Sequence, residues 1–299
     1  MTKILVIGAG AIGTFYASKL WQVGCDITLW QRQQHNPINI KSKLGDFIFY
    51  PQQIISDLTQ YQQQADYILV ATKVLPNINL PQLLLPVVSK NSKIVLIQNG
   101  INIENKIAKS FIDNEIISVI AFVCVARLAN GDIDHQDNGD LIMGNYQKPN
   151  SIATNFLAEL FRKANIPAKV SKNIQVDRWE KLVWNAAFNP LSVLTGGLNT
   201  AQMLANPACR NLIANIMQEV VDLSIADDCS LPAEIIAQKI AYTEKMVPYQ
   251  TSMLLDFYNN RPLEIEAILG NALDFARQKA VSTPYLSTIY ALLSCFANR

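Results

Sequence analysis

The chain has 299 residues, 25 Lys+Arg against 24 Asp+Glu, two His and five Cys; half of it is hydrophobic and only 16% is charged. A net charge of +1 excludes electrostatic recognition of nucleic acid or of an anionic membrane as the main mode of binding. His35 and His135 are too few for a three-His metal site, so no metal is expected and any general acid or base should be another residue type. Cys25, Cys124, Cys209, Cys229 and Cys295 form no C-x-x-C pair, which points to reduced thiols. The apolar run Ile4 to Ile7 is too short for a signal peptide. The longest later one, Ile117 to Ala126, falls far short of the ~20 residues of a membrane helix. A soluble, cytoplasmic protein is predicted.

In chain order, Lys3 to Ile7 reads as a strand buried on both faces of a parallel sheet. A glycine turn follows, then a helix over 11–23 closed by Gly24, and strands at 26–30, 67–71 and 93–97. The stretch 36–58 is polar and short of diagnostic residues, and the segment between the last two strands has helical spacing. A strand at 116–125, short β segments near Ile133 and Leu141, a helix over 152–163 and a strand at 168–170 complete this part. From about Ile174 helical periodicity dominates, punctuated by prolines. The pattern predicts an α/β chain: a Rossmann-type dinucleotide-binding domain over 1–172 and an all-helical domain over 173–299.

Gly8-Ala9-Gly10-Ala11-Ile12-Gly13 is G-x-G-x-x-G between a strand and a helix, the context this motif needs. Its glycines permit a tight turn, close backbone approach to a pyrophosphate and close helix–strand packing. The next strand ends Leu29-Trp30-Gln31-Arg32, without the acid that holds a ribose diol. Arg32 instead suits a 2′-phosphate, which favours NADP(H), although a plain surface arginine reads the same. Thr72-Lys73 and Gln98-Asn99-Gly100 place polar groups just beyond two further strands, where ligands bind in open α/β sheets.

In the helical part, Lys181, Asn185 and Asn189 recur every four residues on one face of an otherwise apolar helix, and Pro190 predicts a kink or end there. Two readings stand. In one, the asparagines bond carbonyls freed by the proline while Lys181 reaches solvent. In the other, the stripe faces a substrate, Lys181 being a general acid whose pKa burial lowers. Ser252 likewise reads as a helix cap or a ligand contact, and either Glu264 or Glu266 could be a solvated acid.

The glycine turn, Lys73, Asn99-Gly100, the K-x-x-x-N-x-x-x-N-P element and Thr251-Ser252-Met253 followed by Glu264 together resemble the ketopantoate reductase family over nearly the whole chain. The resemblance implies NADPH-dependent reduction of a 2-keto acid, 2-dehydropantoate, to pantoate for pantothenate and coenzyme A synthesis. It implies Lys181 as proton donor, Glu264 near the nicotinamide ribose, and cofactor contacts from Gly8 to Gly13, Arg32, Lys73, Asn99 and the backbone of Ala126. It further implies substrate contacts from Asn99, Lys181, Asn185, Asn189, Asn199 and Ser252. Two glycines before Asn199 leave its register open. The expected partner is a small-molecule 2-keto acid, with no nucleic acid or membrane, for a monomer or homodimer. The alternatives are reduction of a different 2-keto acid on the same scaffold, or a non-catalytic NADP(H)-binding sensor.

Overall fold

The structure, a computed structural model, describes residues 1–31 and 35–296. It divides into two compact units: 1–73, 78–98 and 104–174 form the first, and 74–77, 99–103 and 175–299 the second. Two short segments, each a few residues past a strand of the first unit, thus belong to the second.

The first unit runs β1 (Lys3–Ile7), α1 (Ala11–Gln22), β2 (Asp26–Trp30), β3 (Ile38–Ser42), β4 (Phe47–Phe49), β5 (Gln53–Ile55), β6 (Tyr67–Val70), α2 (Leu80–Leu84), β7 (Lys93–Leu96), α3 (Asn105–Ser110), β8 (Glu115–Arg127), β9 (Ile133–Asn145), α4 (Ile152–Lys163) and β10 (Ala168–Val170). The strand order is β4-β3-β9-β8-β7-β6-β1-β2-β5, with β10 beside β9. Pairing is parallel except for β3/β4 and β8/β9. The continuous apolar runs of β1, β6 and β7 follow from this position, since central parallel strands are covered on both faces. Their side chains share a core with Phe15 and Leu20 of α1 and Leu157 and Phe161 of α4. The fold class expected from the sequence is the one observed.

Three local readings are completed or corrected. Residues 36–58 hold β3, β4 and β5, which polar outward positions hid: in β3 only Ile38 and Ile40 are fully buried. The two short segments near Ile133 and Leu141 are one 13-residue strand, β9, antiparallel to β8. Its register slips between Phe122 and Val123 and between Cys124 and Val125, and such bulges break the alternation that marks a strand in sequence.

The third correction lies in the second unit, built from α5 (Ile174–Leu194), α6 (Thr200–Ala205), α7 (Pro207–Ala226), α8 (Ile235–Lys245), α9 (Ser252–Tyr258), a π-helical turn (Glu266–Gly270), α10 (Asn271–Lys279) and α11 (Pro284–Ser294). Of the kink or end expected at Pro190, the end is excluded: helix α5 continues to Leu194. A proline inside a helix costs about 3 kcal/mol. Burial of Leu182, Val183, Ala186, Phe188, Leu191 and Val193 offsets it, at about 1.5–3 kcal/mol for each large side chain. Among the described residues no helix is long and apolar enough to cross a membrane.

One buried carboxylate ties α7 to α11. Glu219, 6% exposed, accepts the backbone N–H groups of Tyr285 and Leu286, each at 2.8 Å, at the start of α11. Glu219→Ala leaves both donors unmet and should lower unfolding free energy in urea by about 2 kcal/mol, with Glu219→Gln losing less.

Candidate active site

In the first unit, Ile7 lies level with Trp30 and Val70, and Val70 with Leu96, so four strands end along one edge. The glycine turn sits there. Gly8 has φ +91°, and a Cβ on it would lie 2.6 Å from the Thr72 nitrogen, so no other residue fits. At Gly13 a Cβ would collide with the Gly8 carbonyl, whereas at Gly10 it would meet nothing within 4 Å. The outer glycines therefore hold helix against strand and the middle one borders open space. Gly10 caps α1 with no side chain, leaving the first-turn N–H groups to whatever occupies that space. This arrangement fits a dinucleotide pyrophosphate, flanked by Ala9, Ala11 and Ile12.

Around the turn, the Gln98 side chain donates to the carbonyl and hydroxyl of Thr72 at 2.7 and 3.1 Å, pinning two strand ends together. Lys73 follows, partly exposed, and Ala126 sits partly buried one residue before the end of β8. Arg32 lies outside the described residues. Arg127, which the sequence did not single out, donates to the carbonyl of Ala9.

The second unit gathers the ionisable groups. Lys181 Nζ donates to Asn99 Oδ1 at 3.0 Å, and Asn99 Nδ2 donates to Glu264 Oε2 at 3.3 Å. Glu264 Oε1 also accepts from the backbone nitrogen of Val74 at 3.2 Å. Asn99 thus bridges an ammonium and a carboxylate from distant parts of the chain. Burial pushes the Lys181 pKa down from 10.5 to about 8; the charge of Arg178, one turn back on α5, pushes the same way, and Glu264 opposes both.

The Asn99 segment is clamped in place. Gly100 has φ +93° and passes so near Ala267 that a Cβ would collide with the Ala267 carbonyl. Arg178, 3% exposed, donates to the Gly100 carbonyl at 2.9 Å, and Asn271 Nδ2 to that of Ile101 at 2.9 Å. Ala267 belongs to the π-helical turn, a deviation that often accompanies functional sites.

Asn185 and Asn189 are 8% and 2% exposed. Among the described residues no hydrogen bond reaches either side chain, so they do not bond carbonyls freed by Pro190; they line α5 with open amide capacity. Asn199 is the N-cap of α6, its side chain accepting from the Gln202 nitrogen at 2.9 Å. The cap of α9 is Thr251 rather than Ser252, which is exposed as the first residue of that helix.

The family model described as Ketopantoate reductase PanE/ApbA matches residues 4–148, and that for Ketopantoate reductase PanE/ApbA C terminal matches residues 173–296. A 2-dehydropantoate 2-reductase of Nostoc sp. is 31% identical, the match covering 99% of this chain and 96% of that protein. The chain belongs to the ketopantoate reductase family. It is accordingly an oxidoreductase, of a family that works with pyridine nucleotides. Among solved structures, the 2-dehydropantoate 2-reductase of Methylococcus capsulatus is 41% identical with a TM-score of 0.93, covering 98% of this chain and 96% of that one. That of Geobacter metallireducens GS-15 is 28% identical with a TM-score of 0.91, covering 98% and 99%.

Arg178 was missed from sequence, and Gly100 was noted only beside Asn99, because both act through backbone contacts between distant segments. The available signal was R-x-x-K, which puts two cations on one turn of an apolar helix, an adverse pairing unless something requires it. Because the charges of Arg178 and Glu264 both bear on Lys181, its titration, followed by NMR of the labelled amine, should respond with opposite signs to their removal. Arg178→Met should raise the pKa above about 8 and Glu264→Gln should lower it. No movement in either variant would remove these charges from the account.

Proposed function

We propose that this ketopantoate reductase family member reduces 2-dehydropantoate to pantoate with NADPH, supplying pantothenate and coenzyme A synthesis. The observation that carries this reading is the Lys181–Asn99–Glu264 chain, with Asn185 and Asn189, whose side chains have no hydrogen-bond partner among the described residues, on the helix that bears Lys181. NADPH, when bound, supplies a hydride to the keto carbon. The glycine turn and the N-terminus of α1 hold its pyrophosphate, Arg32 and Lys73 bind its phosphates, and Ala126 gives a backbone contact.

Lys181 Nζ donates a proton to the keto oxygen as negative charge develops there. An ammonium with a pKa near 8 is charged at neutral pH yet gives up its proton more readily than an exposed lysine. Asn99 orients it, and the Glu264 charge keeps it protonated until the oxygen demands the proton. The amides of Asn185 and Asn189 both donate and accept, which suits the distal hydroxyl of the substrate. Ser252 takes the carboxylate. Asn199 contributes its amide nitrogen, its oxygen being committed to the α6 cap.

Three outcomes test this by NADPH oxidation. Lys181→Ala should lower kcat by about 10²–10⁴-fold with cofactor affinity nearly unchanged. Equal losses in cofactor binding would refute the acid role. In the wild type, kcat/KM for reduction should fall as pH rises through about 8, because the proton donor is then lost. Asn185→Ala should raise KM for the hydroxylated keto acid more than for its deoxy analogue. If simpler 2-keto acids are reduced as well as 2-dehydropantoate, the mechanism stands and the substrate assignment falls.

A further inference from the structure

We propose that Arg127 reads the 2′-phosphate of the dinucleotide, so that preference for the phosphorylated cofactor depends on the end of β8. This rests on the NADPH reading above and adds a residue to it. Arg127 Nη1 bonds the carbonyl of Ala9, the Thr14 hydroxyl at 3.4 Å and Gln31 Oε1 at 3.2 Å. All three acceptors are neutral. Among the described residues no carboxylate pairs with this half-buried guanidinium, and Nε and Nη2 bond none of them.

The position is electrostatically adverse as it stands. The cation lies against the glycine turn that opens the 12-residue helix α1, whose N-terminal pole is itself positive. Burial disfavours its charge, and no anion among the described residues compensates it. A second donor points to the same need, since Gln31 Nε2 is buried with no partner among the described residues. A guanidinium fork and an amide N–H together offer what a phosphate dianion accepts.

Location selects which phosphate. Ala9 belongs to the glycine turn and Gln31 directly follows β2; in a Rossmann unit the adenosine ribose sits between these two points, with its 2′-oxygen toward the β2 end. Arg127 spans them. Its bonds to neutral oxygens hold the fork beside the place a 2′-phosphate enters.

The test is direct binding to the full-length protein, by fluorescence titration with NADPH and NADH and by competition with adenosine 2′-monophosphate and adenosine 5′-monophosphate. Arg127→Gln should weaken NADPH and adenosine 2′-monophosphate by about tenfold each, as expected for a lost charged hydrogen bond, while NADH and adenosine 5′-monophosphate change less than about twofold. Arg127→Lys, which keeps the charge but loses the fork, should show the same split at smaller size, and serves if the glutamine variant fails to fold. NADPH and NADH weakening together would make Arg127 a structural latch or a pyrophosphate contact and overturn the proposal, as would no change in either. A wild type that binds NADH as tightly as NADPH would overturn the cofactor reading and this assignment with it. Undiminished NADPH preference in Arg127→Gln overturns this assignment alone.

Discussion

An ammonium taken out of water must find an acceptor, and for Lys181 that acceptor is Asn99 Oδ1 at 3.0 Å. Much of the second unit follows from this contact. Asn99 comes from a segment a few residues past a strand of the first unit, so the chain has to deliver it to α5 from 82 residues away in sequence. The Gly100 backbone, the Arg178 and Asn271 bonds to neighbouring carbonyls and the π-helical turn at Ala267 all fix that delivery. None of these groups has to touch a substrate for the donor geometry to depend on it.

How much of this was legible in the sequence depends on the range over which each feature acts. The β1–glycine turn–α1 unit was readable because its signals are local: an apolar run, three spaced glycines, a helical period. Strands β3 to β5 were not, since they are three to five residues long and half their positions face water. The β8/β9 ribbon was readable only in part, because two register shifts interrupt the alternation that announces a strand. Of the kink or end expected at Pro190, the end fails for a different reason. The local rule that a proline ends a helix is correct as a cost, and tertiary burial around Phe188 and Leu191 exceeds that cost.

The same distinction sorts the site. Lys181, Asn185 and Asn189 announce themselves by a polar stripe at helical spacing on an apolar helix, where bland explanations are few. For the asparagines, the fold removes the proline-carbonyl explanation, because their side chains have no described partner. Apart from the family resemblance and the spacing from Ser252, Glu264 and Glu266 read alike in sequence; in three dimensions the first meets Asn99 and Val74, while the second accepts from the Tyr290 hydroxyl at 2.7 Å. Arg127 lies at the end of a strand whose sequence says nothing of the turn it meets, 118 residues earlier in the chain.

The lowered Lys181 pKa also sets a limit on how stable this unit can be. A shift from 10.5 to about 8 corresponds to about 3 kcal/mol of disfavoured ionisation in the folded state. The sign follows from proton counts. Below pH 8 the lysine is charged folded and unfolded, and the full penalty is felt. Between about 8 and 10.5 the folded state sheds a proton that the unfolded chain keeps, so the penalty fades as pH rises. Replacing Arg178 by a neutral residue would relieve part of that penalty, while also removing the bond to the Gly100 carbonyl that holds Asn99 in place. The protein retains both the charge and the bond, and the placement of the proton donor is what the two have in common.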